Sequence, residues 1–234
     1  KQRATLTAFF VVLVFAPIYG QAQETGTLTS AETTPNNTTY GVDSVEAFQG
    51  FFGLMQTGAL DSATLTALIE PRCGLRDNLV VISEAKWRKR ELRLFVKGYL
   101  TGLPHADQDS IYMEALNEWA FVCDRKFSQV GSIAQADIIV DVGRGRQDGF
   151  DGPGGTLAWM TLGTNNDNPI LGKFDPGENW SKDPNRDIYL KAVACHEFGH
   201  ALNLDHAPQN SGALMAPFYS RRVSKPTEHD TRRI

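Results

Sequence analysis

The sequence predicts an α/β (α+β) fold in which helices pack on one mixed sheet and a small helical domain precedes that sheet. Two strand patterns and one helix pattern carry this prediction. Residues 91–99 (ELRLFVKGY) alternate apolar and polar side chains as a half-buried strand does. Residues 107–122 then have the pattern of a capped helix, and residues 136–142 (ADIIVDV) form a short β-branched run suited to a buried strand.

Two short helices are predicted before the sheet begins. Apolar residues recur at helical spacing over residues 44–54, and Asp61 is a suitable N-cap for a second helix that starts near Leu60. Three more elements are predicted beyond the buried strand: two strands separated by a polar turn and one long helix, over residues 156–162, 170–175 and 187–204.

The composition is that of an ordinary globular protein. Of 234 residues, 41% are hydrophobic and 21% are charged, and the formal net charge is −4. Lysine and arginine are scattered rather than clustered, so no nucleic acid partner is predicted.

The first 22 residues have the pattern of a secretory signal peptide. Lys1 and Arg3 precede an apolar run over residues 6–18, and a small-x-small cleavage site (GQA) follows. A membrane anchor is the alternative, but the run is shorter than the roughly 20 residues that a helix needs to span a bilayer. We therefore predict a signal peptide over residues 1–22, no membrane anchor, and secretion to the extracellular space or extracellular matrix.

Residues 195–206 (CHEFGHALNLDH) have the spacing of a metal site. His196 and His200 are four residues apart, so a helix presents both imidazoles on one face to a single ion. His206 comes after the helix must end, and it reaches the same ion only if the chain reverses sharply near Asn203. Such a reversal requires a left-handed backbone, which asparagine tolerates best after glycine.

Three imidazole ligands leave the fourth position of a tetrahedral zinc ion open, which is typical of a catalytic site. Zinc lowers the pKa of water at that position to about 7, and Glu197 is placed to accept the proton. The motif therefore predicts hydrolysis of an amide bond with Glu197 as the general base. Histidines placed on a helix by chance are the alternative, which the third histidine disfavours.

The chain has three cysteines, Cys73, Cys123 and Cys195. In the oxidising environment of a secreted protein they form at most one disulfide, which leaves one thiol over. A thiolate is a good zinc ligand, so Cys73 in the segment PRCGLRD could close the fourth position and keep the site latent. A Cys73 that is merely buried or disulfide-bonded is the alternative. Whether Cys123 and Cys195 pair stays open, because a disulfide requires a distance that the sequence does not supply.

These segments resemble a known protease family. HEFGHALNLDH, followed by Met215 in ALMAP, resembles the zinc signature and Met-turn of the metzincins. PRCGLRD resembles the cysteine switch of the matrix metalloproteinases, or matrixins, with Arg76 where proline is usual. The resemblance runs from about Val42 to Ile234. It implies a metzincin catalytic domain with a twisted, mixed five-stranded sheet and three helices, preceded by a small helical prodomain.

The resemblance also implies domain limits and roles. The propeptide would cover residues 23–83 with the switch at 71–77, and the catalytic domain residues 84–234. We expect that domain to be truncated at its C-terminus, and activation cleavage to fall between Asp77 and Lys86. The resemblance implies that Arg72 and Asp77 brace the switch. It implies that Leu157 and Ala158 form the substrate-binding edge. It also implies that Pro217 and Tyr219 line the pocket for the residue after the cut bond.

Calcium is a second cofactor that the resemblance implies, in the loop around residue 151. The ligands would be three carboxylates and three backbone carbonyls, an oxygen shell of the kind that calcium takes: Asp151, Asp175 and Glu178, with Gly152, Gly154 and Thr156. A solvated acidic loop is the alternative.

Matrixins also bind a second, structural zinc ion, whose ligand positions here correspond to Arg144, Arg146, Trp159 and Lys173. Of five histidines in the chain, three lie in the catalytic motif and the others are His105 and His229. We therefore predict one zinc ion and no second, structural one. Arg144 or Lys173 could instead stack on Trp159 as a cation–π contact, or these could be merely exposed basic residues.

The sequence thus predicts a secreted zinc endopeptidase of the matrix metalloproteinase type, made as a latent zymogen. Its partners would be extracellular protein or peptide substrates and protein inhibitors of metalloproteases. The alternative hypothesis is a catalytically inactive secreted protein that kept the fold as a binding module, which Asn203 and the changed structural zinc positions make worth testing.

Overall fold

The computed structural model describes residues 44–77, 87–163 and 168–234. The predicted signal peptide and the segment predicted to be cut on activation lie outside these residues. The helices are α1 Val45–Phe51, α2 Ser62–Ile69, α3 His105–Ala120, α4 Leu190–Ala201 and α5 Glu228–Thr231. The strands are β1 Arg72–Cys73, β2 Glu91–Val96, β3 Lys126–Gln129, β4 Ile138–Val142, β5 Thr156–Met160, β6 Ile170–Phe174, β7 Trp180–Ser181 and β8 Ile188–Tyr189.

The main sheet has the strand order β1-β5-β6-β4-β2-β3. Strands β3, β2, β4 and β6 are parallel, whereas β5 is antiparallel to β6. The five strands β2 to β6 confirm the predicted mixed five-stranded sheet, although β3 has no clear strand pattern in the sequence. A sixth strand, β1, comes from the PRCGLRD segment and pairs with the edge strand β5 in parallel.

The core lies between this sheet and the two long helices. Leu92 and Leu94 of β2 and Ile138 of β4 are fully buried, as the strand patterns predict. Helix α3 packs on α4, and the indole of Trp119 donates a hydrogen bond of 2.8 Å to the backbone carbonyl of Cys195. This bond links the core directly to the helix that carries the histidine motif.

The N-terminal helices form their own small hydrophobic cluster. Asp61 is the N-cap of α2, as predicted, and its carboxylate accepts a hydrogen bond of 2.9 Å from the backbone of Thr64. Phe48 and Phe52 are buried in this cluster. Phe52 stacks on Phe218 of the C-terminal region, with ring centroids 4.5 Å apart, so this cluster contacts the rest of the protein through aromatic rings.

The last long helix is shorter than predicted at both ends. Asp187 has φ 41°, and the next two residues pair as β8 rather than starting the helix. At the other end Asn203 has φ 71°, which is the left-handed conformation that the sequence predicts there. Asn203 N–H and Leu204 N–H donate to the carbonyls of His200 and Gly199 at 2.8 and 3.0 Å, which is the pattern of a Schellman motif.

All three cysteines are free thiols. Cys195 is fully buried and its thiol donates to the carbonyl of Ala115 at 3.6 Å, so Cys195 and Cys123 do not pair in this structure. Within the described ranges, no helix is long and apolar enough to cross a bilayer.

Candidate metal centre and active site

Four buried side chains converge at the C-terminal half of α4. The potential ligand atoms of Cys73, His196, His200 and His206 all lie within 4.8 Å of one another. The Nε2 atoms of His196 and His200 are 3.1 Å apart, and the sulfur of Cys73 is 3.4 Å from Nε2 of His200. The left-handed turn at Asn203 brings His206 back to the face of α4, so the structure assembles the four residues that the sequence singled out.

Backbone carbonyls orient two of the imidazoles. Nδ1 of His196 donates to the carbonyl of Leu214 at 2.7 Å, and Nδ1 of His200 donates to that of Leu204 at 2.7 Å. A carbonyl only accepts, so each Nδ1 carries the proton and each Nε2 presents a lone pair. Two lone pairs 3.1 Å apart repel unless a cation lies between them, so this arrangement fits a metal ion.

The protonation states fit a metal as well. Burial lowers the pKa of His196 to about 4, and burial also lowers the pKa of His200 and His206 well below the ordinary value. The three imidazoles are therefore neutral at pH 7, as ligands must be. Burial raises the pKa of the Cys73 thiol, and the nearby Glu197 raises it further, so Cys73 becomes a thiolate only if a cation stabilises it.

Glu197 lies beside this cluster and is fully buried. Neither of its carboxylate oxygens makes a hydrogen bond of regular geometry with another described residue, although the Cys73 thiol lies near enough to interact with it. Burial raises its pKa to about 8, and the Cys73 thiol acts in the opposite direction. A buried carboxyl group without a regular hydrogen bond is costly, and it is suited to exchange a proton with a molecule that enters the site.

Cys73 reaches the histidines because β1 occupies the edge of the sheet. Arg72 N–H and Gly74 N–H donate to the carbonyls of Gly155 and Ala158, each at 2.7 Å. On its other side, Cys73 N–H donates to the carbonyl of Pro217 at 2.9 Å. The edge predicted to bind substrate is therefore filled by the PRCGLRD segment.

A buried ion pair closes this segment into a loop. Arg72 and Asp77 are joined at 2.7 Å, and both side chains are almost completely buried. The Arg72 guanidinium also lies over the rings of Phe52 and Phe218, at 5.5 and 5.9 Å from their centroids. Asp77 Oδ1 is 2.7 Å from Nδ1 of His206. Burial raises the pKa of Asp77 to about 6, although Arg72 opposes that shift.

A cavity of about 200 Å³ opens beside His196 and Glu197. Leu157, Pro217 and Tyr219 line it, whereas Ala158 contributes its backbone carbonyl to the edge. The Tyr219 hydroxyl accepts a hydrogen bond of 2.8 Å from the backbone N–H of Tyr189, which anchors that wall to the start of α4.

The turn that contains Met215 supports the histidines from below. Met215 is fully buried, and a β-carbon on Gly199 would come within 2.2 Å of its sulfur, so α4 approaches the turn as closely as only glycine allows. The Asp230 carboxylate accepts from the backbone N–H groups of Leu214 and Met215 at 2.8 and 3.1 Å.

Sequence reasoning missed this role of Asp230. The available signal was Thr227-Glu228-His229-Asp230, which forms a capping box at the start of α5. It also missed Trp87, whose indole donates to the carbonyl of Ala201 at 2.7 Å and so caps the end of α4. No periodic pattern in the sequence marks Trp87.

The predicted calcium ligands lie in one loop region. Asp175 is buried and its Oδ2 has no hydrogen-bond partner among the described residues. The Glu178 carboxylate accepts from Gly154 N–H at 2.7 Å, and the Asp151 carboxylate accepts from Thr156 N–H at 2.9 Å. Burial raises the pKa of Glu178 to about 7, and Asp175 and Asp151 contribute to that shift. Within the described ranges, the histidine–cysteine group is the one cluster of histidine, cysteine or carboxylate side chains placed to share a metal ion, so calcium stays a prediction.

The positions predicted to have lost a structural zinc ion carry an ion-pair cluster. Lys173 Nζ is 2.8 Å from Asp148 Oδ1 and 5.9 Å from the ring centroid of Trp159. Arg144 pairs with the same carboxylate at 3.2 Å, and Arg146 is exposed. Of the two cation–π contacts proposed for Trp159, the structure therefore contains the one from Lys173. Asp148, the centre of this cluster, was not singled out from the sequence.

Comparison with known proteins agrees with this geometry. The sequence model of the peptidase family described as Matrixin matches residues 86–234. The chain is 38% identical over 187 residues to interstitial collagenase of Equus caballus, and that alignment covers 76% of this chain and 38% of the relative. It is 35% identical over 191 residues to matrix metalloproteinase-18 of Xenopus laevis, covering 78% of this chain and 40% of the relative.

A third relative is stromelysin-1 of Rattus norvegicus, which is 36% identical over 188 residues. That alignment covers 76% of this chain and 38% of the relative. The chain thus spans about two fifths of the length of these three curated relatives.

Proposed function

This chain belongs to the matrixin peptidase family, and we propose that it is a zinc-dependent endopeptidase that hydrolyses peptide bonds of extracellular proteins. One observation carries the proposal: three neutral, buried imidazoles converge beside the fully buried carboxyl group of Glu197. The members of this constellation have the residue types and the spacing that metal-assisted amide hydrolysis requires.

The residues of the site have different roles in the reaction, namely metal binding and proton transfer. His196, His200 and His206 would hold the zinc ion through their Nε2 atoms. When bound, zinc supplies a Lewis acid that polarises the carbonyl of the scissile bond and makes water more acidic. Glu197 accepts a proton at a carboxylate oxygen from the attacking water and later gives it to the leaving nitrogen. Burial raises the pKa of Glu197 to about 8, and a cation held by the three imidazoles would favour the ionised carboxylate that a general base requires.

The cavity and the sheet edge would orient the substrate. The backbone of β5 offers the carbonyls of Gly155 and Ala158, which already pair with a strand in this structure. A substrate strand added there is held by main-chain hydrogen bonds whatever its sequence. The cavity lined by Leu157, Pro217 and Tyr219 would take the side chain after the cut bond, and its apolar walls favour an apolar residue.

Latency follows from the position of Cys73. Its sulfur lies 3.4 Å from Nε2 of His200, so a thiolate there would be a fourth zinc ligand that excludes water. The Arg72–Asp77 ion pair and the pairing of β1 with β5 hold Cys73 in place. We infer a latent zymogen that becomes active when this segment is removed.

Secretion, calcium and extracellular partners complete the proposal. The signal-peptide pattern of residues 1–22 supports export, and the carboxylates of Asp151, Asp175 and Glu178 support a calcium ion that would stabilise the loop before β5. Extracellular proteins as substrates, and protein inhibitors of metalloproteases as regulators, fit a protease with this site.

The test uses the intact chain. Zinc per chain is measured by atomic emission, and cleavage of a fluorogenic peptide is followed before and after treatment with a thiol-reactive mercurial. We expect cleavage only after treatment, and a loss of about 10²- to 10⁴-fold in Glu197→Gln. Glu228→Gln, an exposed carboxylate changed in the same way, is the matched control. Bound zinc without cleavage after treatment would favour an inactive binding protein and overturn the proposal.

A further inference from the structure

An ion-pair cluster joins the loop before β5 to strands β5 and β6. We propose that Asp148 is a positioning residue, which holds the substrate-binding edge β5 through ionic and backbone contacts at the place where the resemblance implies a structural zinc ion. This inference rests on the proposed function for its effect on substrate, but not for its effect on the latent state.

The Asp148 carboxylate is the centre of the cluster. It accepts from the backbone N–H of Arg144 at 2.7 Å and from the Arg144 guanidinium at 3.2 Å, and it is 2.8 Å from Nζ of Lys173. Only 7% of the Asp148 side chain is exposed, and 11% of that of Lys173. The two cations hold the pKa of Asp148 well below its usual range, so the carboxylate stays charged throughout the physiological pH range.

The cluster also includes both strands of the sheet edge. Trp159 of β5 and Lys173 of β6 are partners in the antiparallel register. The Trp159 indole N–H donates to the backbone carbonyl of Asp148 at 2.9 Å, and Lys173 Nζ lies 5.9 Å from the centroid of the same ring. Asp148 therefore contacts β5 through its main chain and β6 through its side chain.

These residues do not fit a metal ion. Arginine and lysine are protonated at neutral pH and have no lone pair to donate, and the indole nitrogen of Trp159 is a donor only. Asp148 is the one carboxylate in the cluster, and its oxygens are already occupied by Arg144 and Lys173. The charges are arranged in the opposite sense to a metal site, with an anion in the middle and cations around it.

The position of β5 matters because the same strand forms the binding edge. The carbonyl of Ala158, the neighbour of Trp159, accepts a hydrogen bond from the N–H of Gly74 in the docked PRCGLRD segment. The carbonyl of Gly155 accepts one from the N–H of Arg72. Through its hydrogen bond to the Asp148 carbonyl, Trp159 fixes the C-terminal end of β5 relative to the loop that precedes the strand. Loss of the Asp148 contacts would let β5 shift, and main-chain pairing with any strand in the cleft would weaken. Glu197, His196 and His200 lie on α4 rather than on β5, so we expect a shift of β5 to affect substrate binding more than the chemical step.

The experiment compares Asp148→Asn and Lys173→Met with two controls. Asp148→Glu keeps the charge and should recover most of the function, and Arg146→Gln changes an exposed arginine beside the cluster. After mercurial activation of the full chain, we expect Asp148→Asn to raise KM for a peptide about tenfold and to leave kcat within about twofold. Wild type and all variants should hold one zinc ion per chain.

A second readout does not need catalysis. In the untreated chain, the rate of Cys73 alkylation, measured by mass spectrometry of the switch peptide, reports how often β1 leaves β5. We expect it to rise about tenfold in Asp148→Asn and in Lys173→Met, in proportion to the lost docking affinity, and to stay unchanged in Arg146→Gln.

Two results would overturn the inference: a second zinc ion in the wild type, or variants that melt at wild-type temperature with unchanged KM and unchanged alkylation. If Asp148→Asn fails to fold, the KM, the alkylation rate and the melting temperature of Lys173→Met test the inference instead. Absence of cleavage in the wild type would defeat the proposed function, whereas the alkylation rates would still decide the role of Asp148.

Discussion

Asp230 supports the metal site from α5, and its replacement is the most direct test of how the turn below the histidines is held. The fully buried carboxylate accepts four hydrogen bonds, from the backbone of Leu214 and Met215 and from the backbone and hydroxyl of Thr227. The carbonyl of Leu214 in turn accepts from His196. Asp230→Asn therefore perturbs a zinc ligand through two intervening hydrogen bonds.

The size of the effect follows from the four donors. An asparagine oxygen at the position of Oδ2 keeps three of the bonds, but its NH₂ group then faces the N–H of Met215. Losing one bond to a charged acceptor costs about 1.5–3 kcal/mol, and the other bonds weaken because they are no longer charge-assisted. We expect a total of about 2–4 kcal/mol, which lowers Tm by about 5–15 °C in a domain of this size. Zinc affinity should fall about tenfold, as for other partners of metal ligands.

Thermal unfolding and competition with a zinc chelator measure the two effects. Glu228→Gln in the same helix is the control, because Glu228 is exposed and its ion pair with Arg232 is on the surface, where such pairs contribute about 0–1 kcal/mol. If Asp230→Asn melts within about 2 °C of this control and binds zinc equally well, the turn is held by other contacts and the reasoning fails.

Three further predictions concern the switch, the turn and the acidic loop. Cys73→Ser should cleave peptide without mercurial treatment, because a hydroxyl is a poor zinc ligand at neutral pH, whereas Cys123→Ser should stay latent. Asn203→Ala should cost about 1 kcal/mol in denaturant unfolding, because at φ of 71° alanine lacks the short polar side chain that lets asparagine tolerate a left-handed backbone. Asn203→Gly should cost less, because glycine has no β-carbon. Calcium affinity, measured by calorimetry, should fall as pH drops from 8 to 6, by up to about tenfold per pH unit below 7, because the ion must displace a proton from Glu178, whose pKa burial raises to about 7.

The effect of Glu178 ionisation on the stability of the folded protein is also testable without calcium. Its folded pKa of about 7 lies above the ordinary value of 4.5, so the folded state binds the proton more tightly than the unfolded chain. Its ionisation therefore destabilises the calcium-free protein as pH rises from 4.5 through 7. Calcium should reverse that trend, and Glu178→Gln should weaken both effects, leaving the part that comes from Asp151, whose pKa burial also raises. Equal stabilisation by calcium at pH 6 and pH 8 would contradict the role of Glu178 as a calcium ligand. A Cys73→Ser variant that stays latent would contradict the cysteine switch. An Asn203→Ala variant with unchanged stability would contradict the role of the left-handed turn.

The sequence alone was sufficient for the features that depend on short-range geometry. The spacing of His196 and His200 follows from the helical repeat, and the turn at Asn203 follows from the φ angles that asparagine tolerates. The strand patterns of β2 and β4 and the N-cap at Asp61 are local in the same sense. These elements could be predicted because hydrogen bonds between near neighbours and side-chain alternation determine them.

Only the tertiary structure decided the contacts between distant segments. Asp230 lies 16 residues from Leu214, and the Trp87 indole bonds a carbonyl 114 residues away. Asp148 meets Lys173 because β5 and β6 pair in one register and not another. The sixth strand β1 likewise depends on the pairing of the PRCGLRD segment with β5, which the sequence does not reveal. Buried polar groups are satisfied by whatever partner the packed chain brings near, and that distance is set by the whole fold rather than by the neighbours of a residue.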